Sequence, residues 1–221
     1  PALLYAGTAL ASVPIIIHTS DLHLGATLGW LGPRSGEQRD QLRRTLSKIV
    51  NIVIDQQADA LVVAGDLFPS NSPSAATVRF VLREFTRLTN DCRARVVLLP
   101  GTHDGLGIDS VYQSYREEFS RIERLSILGL DGTSSVRVQE SGLAFHGSPQ
   151  RPEEPGPGSP SELIPDPDTP FNVKVLHGPL GLTEEPEPDD TEAHRSSPPI
   201  PLSELRAEGW SYFALGYLHT W

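Results

Sequence analysis

The sequence predicts an α/β fold, turning α+β in its second half, and three observations predict it. Short apolar runs alternate with amphipathic segments as far as about residue 124, the pattern of parallel strands joined by crossover helices. From Leu125 onward the pattern changes to a series of short strand candidates. Each apolar run of the first part also stops at a polar loop, and in such sheets ligands collect outside the carboxyl ends of the strands.

The first run, Ile15-Ile16-Ile17, is β-branched and reads as a buried strand ending in His18-Thr19-Ser20-Asp21-Leu22-His23-Leu24-Gly25. Asp21 and His23 lie two positions apart. In extended backbone such residues point the same way, so a carboxylate and an imidazole would converge. That donor pair suits a first-row metal; the plainer reading is a Ser-Asp turn beside an incidental histidine. After a Gly/Pro loop from Gly29 to Gly36, residues 37–57 show helical periodicity, with Leu42, Leu46, Ile49, Val50 and Val53 on one face.

Ala60 to Ala64 is a short continuous apolar run, as expected of a strand buried on both faces, and it ends at Gly65-Asp66. Ser72-Pro73 predicts an N-cap with proline at the first helical position, opening a helix over about 73–90. Val96 to Leu99 is a third buried strand, ending at Pro100-Gly101-Thr102-His103-Asp104, and a weaker helix is expected over 109–124. The later strands are Ser126 to Leu128, Val136 to Val138, Leu143 to His146, Phe171 to His177 and Tyr212 to Leu215, with a short helix from Ser203 to Glu208. Residues 1–13 read as an N-terminal extension and 14–221 as one domain, with acidic Pro-rich loops at about 151–170 and 183–201.

Of the 221 residues, 38% are apolar and 21% charged, which describes a globular chain with a real core, and no run approaches a membrane span. The net charge of −10 is localised. Between Arg151 and Pro201 there are eleven acidic and three basic residues, which leaves 17 acidic and 15 basic elsewhere. The scaffold is near neutral, so the charge does not exclude a phosphodiester substrate, and no basic stripe argues for one. A single cysteine, Cys92, excludes an internal disulfide and leads to an expectation of a cytoplasmic protein. With no Met anywhere the chain is expected to be less than the complete product, and without a basic start residues 1–13 are not expected to direct export.

Collected in order, the strand ends carry Asp21 and His23, then Asp66, then Thr102-His103-Asp104, then His177, then Gly216-Tyr217-Leu218-His219. Any one of these histidines taken alone is more often structural. Five strand ends in series are what a binuclear hydrolytic centre needs: a bridging carboxylate, and N/O donors holding two ions roughly 3.5–4 Å apart.

The set resembles the calcineurin-like metallophosphoesterases, whose signature runs D-x-H, G-D, G-N-H-D, a strand-end His, and G-H-x-H. Here it reads Asp21-Leu22-His23, Gly65-Asp66, Gly101-Thr102-His103-Asp104, His177 and Gly216-Tyr217-Leu218-His219. The wording around Asp21 and in Ala64-Gly65-Asp66-Leu67-Phe68 is most similar to the SbcD-type DNA-repair exonucleases. The resemblance implies a four-layer αββα metallophosphoesterase sandwich, lacking here the C-terminal strands and cap that follow in SbcD-like proteins. It implies a phosphodiesterase or nuclease acting through metal-activated water, with DNA as a substrate and an ATPase partner subunit. Two divalent ions are implied, manganese first, with iron or zinc as alternatives.

By position in the signature, metal one would take Asp21, His23, Asp66 and His219, with Asp66 bridging. Metal two would take Asp66 and His177 with the asparagine and first histidine of the signature, and His103 would be catalytic, off the metal, aiding the departing oxygen. Three positions depart: Thr102 stands for the asparagine, Tyr217 for that histidine, and Pro69 where SbcD-like proteins carry Asp or His. A hydroxyl is a poorer donor than an amide oxygen, and a phenol binds well only once deprotonated. Thr102 and Tyr217 are therefore expected to be weak or indirect ligands, and the second site to be selective or empty. A degenerate scaffold that binds one metal or a phosphorylated ligand is the alternative reading. His146 and His18 are read as structural, His194 as solvated, Asp104 as shaping its loop, and Trp210 and Tyr212 as core or rim residues rather than base-stacking ones.

Overall fold

The computed structural model describes residues 13–149, 162–181, 199–206 and 208–217; His194, His219 and most of the acidic Pro-rich stretches lie outside these described residues. Two four-stranded sheets are present. The first is wholly parallel, in the order β1 (Ile16–Thr19), β2 (Ala60–Ala64), β3 (Arg95–Leu99), β4 (Leu125–Ile127). Its crossovers are α1 (Ser35–Asp55) and α2 (Ala75–Asp91), then two short helices, α3 (Val111–Ser114) and α4 (Arg116–Ser120). The second sheet runs β5 (Ser135–Val138), β6 (Leu143–Gly147), β7 (Phe171–His177), β8 (Tyr212–Gly216), with β5 antiparallel to β6 and the rest parallel.

Alternation along the strands creates two cores. Leu61, Val63, Val96 and Leu98 face Leu46, Val50 and Val53 of α1 and Val78, Val81, Phe85 and Leu88 of α2. Ala60, Val62, Ala64, Val97 and Leu99 face the other way, onto Phe145, Val173, Val175 and Ala214 of the second sheet. Burying each large aliphatic or aromatic side chain contributes about 1.5–3 kcal/mol, so central strands apolar on both faces hold helices and sheets together. On the far face of the second sheet the buried Lys174 reaches Glu204 of a 3-10 turn, Leu202–Leu205, at 2.8 Å, and lies over the Trp210 ring. The expected sandwich of two packed sheets is what the chain forms, with the α-helices of the described residues against the outer face of the first. No helix of the described residues is long and apolar enough to cross a membrane.

Several local expectations need correction. Ile15 is exposed and β1 only partly buried, because β1 is the edge of its sheet and has β2 on one side alone. The cap of α2 is Ser74, whose Oγ accepts the Thr77 N–H at 3.2 Å; Pro73 lies before the helix, not at its first position. The helix expected over 109–124 breaks in two at Tyr115, which leaves the helical region (φ −115°, ψ 27°). The helix expected from Ser203 is the 3-10 turn already described.

Candidate metal centre

The carboxyl ends of β1, β2, β3, β7 and β8 meet at one edge of the sandwich. The loop leaving β1 is laced to the loop leaving β2 by three backbone bonds: Asp21 N–H to Gly65 O at 3.0 Å, His23 N–H to Asp66 O at 3.0 Å, and Leu24 N–H to Leu67 O at 2.9 Å. This lacing is not extended strand. Asp21, His23 and Asp66 all have positive φ, at 54°, 43° and 52°. Asp and His tolerate the left-handed region better than most residues, yet each such position stores on the order of 1 kcal/mol or more. The extended-backbone argument for Asp21 and His23 therefore fails. Their side chains reach Asp66 through turns.

Asp66 is the centre of convergence. Its Oδ2 faces three imidazole nitrogens, Nε2 of His177 at 3.4 Å, of His23 at 3.8 Å and of His103 at 3.9 Å. Its Oδ1 accepts the backbone N–H of His103 at 2.8 Å. Burial pushes the Asp66 carboxyl up, but the His177 contact and the His103 N–H and ring outweigh it and leave it below its ordinary value. Donor atoms of His23, Asp66 and His103 lie within 4.8 Å of one another, and so do those of Asp21, Asp66 and His177.

His177 shows what such a cluster is built to receive. Its Nδ1 lies 2.9 Å from the Ala64 carbonyl oxygen, which can only accept, so Nδ1 carries the proton. In the neutral ring Nε2 then presents a lone pair, and it is buried with no hydrogen bond of its own. A lone pair directed at a carboxylate oxygen needs a proton or a cation between them. Burial pulls this imidazole down, but Asp66, the Ala64 carbonyl and Asp21 prevail and raise it above 6.5. The hydroxyl of Thr102 is likewise buried without a hydrogen-bond partner. Two buried, unpartnered ligand-type atoms on these loops, one of them 3.4 Å from the Asp66 carboxylate, fit a divalent cation.

Glycines make the close approach possible. A Cβ on Gly65 (φ +87°) would overlap the His177 ring, one on Gly101 the Asp66 side chain, and one on Gly216 the Ala64 carbonyl. Asp104 serves the backbone: it is fully buried, accepts Gly101 N–H at 2.7 Å, Phe68 N–H at 3.1 Å and the Tyr112 hydroxyl at 2.7 Å, and burial pushes its carboxyl up. Tyr217 N–H donates to Asp21 Oδ2 at 3.0 Å, and its ring stands edge-on to His177 at 5.8 Å.

Five of the sequence-predicted residues, Asp21, His23, Asp66, His103 and His177, are thus brought together, while His219 lies outside the described residues. Two groups of mutually close donors share Asp66. His103 closes on His23 and Asp66, and Asp21 closes on Asp66 and His177. His146 and His18 are held elsewhere, His146 Nε2 at 2.9 Å from Asn172 Oδ1 and His18 Nδ1 at 3.1 Å from the Tyr212 hydroxyl. Two contributors escape the sequence. The Ala64 carbonyl that orients His177 is backbone and carries no motif, and Tyr112 reads as one more core aromatic.

The chain is 36% identical over 89 residues to the SbcD component of nuclease SbcCD from Bacillus subtilis, covering 40% of this chain and 22% of that protein. It is 36% identical over 91 residues to the same component from Rhodobacter capsulatus, covering 40% and 21%. Over 222 aligned residues it is 22% identical to the uncharacterized metallophosphoesterase YhaO of Bacillus subtilis, covering 92% of this chain and 48% of that one. The chain thus spans from about a fifth to about a half of the curated relatives it matches. Among solved structures, nuclease MPE of Pseudomonas putida aligns over 75% of this chain and 62% of that one, at 13% identity and a TM-score of 0.37, a likeness too low to add to the fold. The calcineurin-like phosphoesterase family profile matches residues 15–208, the span that contains both sheets as far as the loop before β8 and four of the five strand-end loops. On that match, this chain belongs to the calcineurin-like phosphoesterase family.

Proposed function

We propose that the chain hydrolyses phosphodiesters, with an exonuclease-like preference for DNA, using two divalent cations of which manganese is the first candidate. The observation that carries this reading is the convergence of three imidazole nitrogens on Asp66 Oδ2. Asp66 would be shared by the two ions, with Asp21, His23 and His219 on one, His177 on the other, and His103 beside them but off the metal. When bound, such ions supply a water acidic enough to act near neutral pH and neutralise charge on the phosphate.

The chain's own residues do the rest. The Ala64 carbonyl fixes the tautomer and direction of His177, and Asp104 fixes the loop that carries His103. His103, about a third exposed where His177 is closed off, is placed to face substrate and hand a proton to the departing oxygen. Elemental analysis together with turnover of bis-p-nitrophenyl phosphate tests the reading. Two ions per chain and activity abolished by Asp66→Ala are expected; a metal-free chain without turnover would overturn it.

The second reading, a scaffold with a weak or empty second site, is favoured by Thr102, whose buried hydroxyl replaces an amide oxygen at that position. It predicts one ion per chain and no hydrolysis. The names of the SbcCD relatives, in each of which the matching chain is one subunit, support a further proposal, that the protein works as one component of a complex, and the family resemblance makes an ATPase the candidate partner. The buried, free Cys92 is in keeping with a cytoplasmic setting.

A further inference from the structure

A groove of about 440 Å³ lies on the helical layer, away from the metal centre, lined by Arg43, Ala76, Arg79, Phe80 and Arg83. Arg43 and Arg83 both place their guanidinium over the one Phe80 ring, at 5.9 and 5.3 Å from its centre. Among the described residues Arg43 and Arg79 form no ion pair, and Arg83 has only Glu84 at 3.8 Å, a carboxylate already held by Arg87 at 2.9 Å. All three arginines are exposed. The groove thus gathers three guanidinium groups, two of them over one ring, and an anion would relieve their mutual repulsion. In a chain of net charge −10 it also makes a local exception to the field that would repel a polyanion.

We infer that this groove binds the sugar-phosphate backbone of a single-stranded nucleic acid, as a second contact for a strand whose end is processed at the metal centre. This rests on the phosphodiesterase reading for its purpose, though not for its geometry. Arginine forks match phosphate oxygens, and the contact with Phe80 positions two of them, Arg43 with no carboxylate partner and Arg83 with only the 3.8 Å approach of Glu84. Position agrees. α2 begins directly after the loop that follows Asp66, so Arg79 stands roughly 6 Å and Arg83 roughly 12 Å along the helix from that edge. A strand leaving the centre over this layer would meet them in turn.

The test is fluorescence anisotropy with a labelled oligothymidylate of about 20 nucleotides, titrated at several salt concentrations. Comparison with Arg43→Ala/Arg79→Ala/Arg83→Ala should show at least a tenfold loss of affinity and a salt slope shallower by about 2, from three lost contacts on a single strand. Melting temperature and metal content should match the parent, which separates lost contacts from a lost fold. Unchanged affinity and slope in the triple variant would overturn the inference, as would absence of binding by the parent. Competition by polyglutamate as effective as that of the oligonucleotide would also overturn it, in favour of an acidic peptide. Failure of the parent to hydrolyse bis-p-nitrophenyl phosphate would instead strike the hydrolase reading and leave the binding result standing.

Discussion

His177 Nδ1 and the Ala64 carbonyl oxygen are 2.9 Å apart, and this single contact turns the opposite nitrogen of the ring onto Asp66 Oδ2 at 3.4 Å. The bond is made between two strands of different sheets, so the packing of the sandwich itself orients the imidazole. Replacing His177 by Gln removes the ring that the carbonyl steers. The variant should lose one ion, with affinity falling further than the ~10–100-fold typical of removing a merely supporting partner. Metal titration by calorimetry checks this; unchanged stoichiometry and affinity would remove His177 from the centre.

Gly65 tests the same packing from the backbone. Its φ of +87° disfavours any side chain, and a Cβ there would overlap the His177 ring. Gly65→Ala combines left-handed strain with a clash in a closed site, each of order 1–3 kcal/mol. The melting temperature should fall by several degrees and metal binding should weaken with it. An equally stable variant with full metal content would show that the two loops can separate without loss.

His103 differs from His177 in exposure, with 34% of its side chain accessible against 1%. Its backbone N–H, not its ring, makes the bond to Asp66 Oδ1, so truncation should leave Asp66 in place. His103→Ala is expected to cut turnover of bis-p-nitrophenyl phosphate by about 10²–10⁴-fold while at least one ion stays bound. Loss of all bound metal in that variant would assign the ring to coordination alone.

How much of this is legible in the sequence follows from what kind of signal each part leaves. Phe171–His177 is readable to its ends because a strand covered on both faces is apolar at most positions and stops where its last residue turns to function. The five side chains that converge on Asp66's edge of the sandwich are readable because residues able to hold a metal recur at strand ends. The positive φ of Asp21, His23 and Asp66 leaves no such mark, since nothing in Asp-Leu-His or Gly-Asp distinguishes turn from strand until two loops are laced together. Nor can one strand's sequence show that it lies at a sheet edge, which is why β1 is less buried than its composition predicts. The choice of Ser74 over Ser72 as cap depends on which hydroxyl can reach Thr77 N–H, a matter of one turn of backbone.

Tyr112 and Asp104 are both fully enclosed, and the 2.7 Å bond between them is charge-assisted, so it should be worth more than a neutral one. Tyr112→Phe keeps the ring and deletes the donor. A loss of about 1.5–3 kcal/mol is expected, read from urea unfolding, because the carboxylate retains only Gly101 and Phe68 as partners. The metal centre should loosen in parallel, since Gly101 leads directly into Thr102 and His103. Unchanged stability would mean that the carboxylate finds another donor.

His146 gives the pH dependence a definite sign. Burial holds its imidazole below 6.5, and this outweighs the help that Asn172 and Asp166 give the charged form; the Arg137 charge adds to the lowering. Asn172 Oδ1 also accepts Asp166 N–H at 2.8 Å, so it is an acceptor and His146 Nε2 must be the donor of the 2.9 Å bond. The folded state therefore holds a neutral ring in a range where the unfolded chain already takes up a proton. Above pH 6.5 both states are neutral and the group contributes no slope. As pH falls below 6.5 the unfolded state gains the proton first, so stability declines until the depressed folded value is passed and then levels off. His146→Gln, which keeps an N–H donor for Asn172 but does not titrate, should flatten this part of the decline in urea midpoint. His18, lowered by burial against the pull of Asp21, would retain its own share of the slope in that variant. An identical pH profile in the variant and the parent would show that His146 is charged equally in both states.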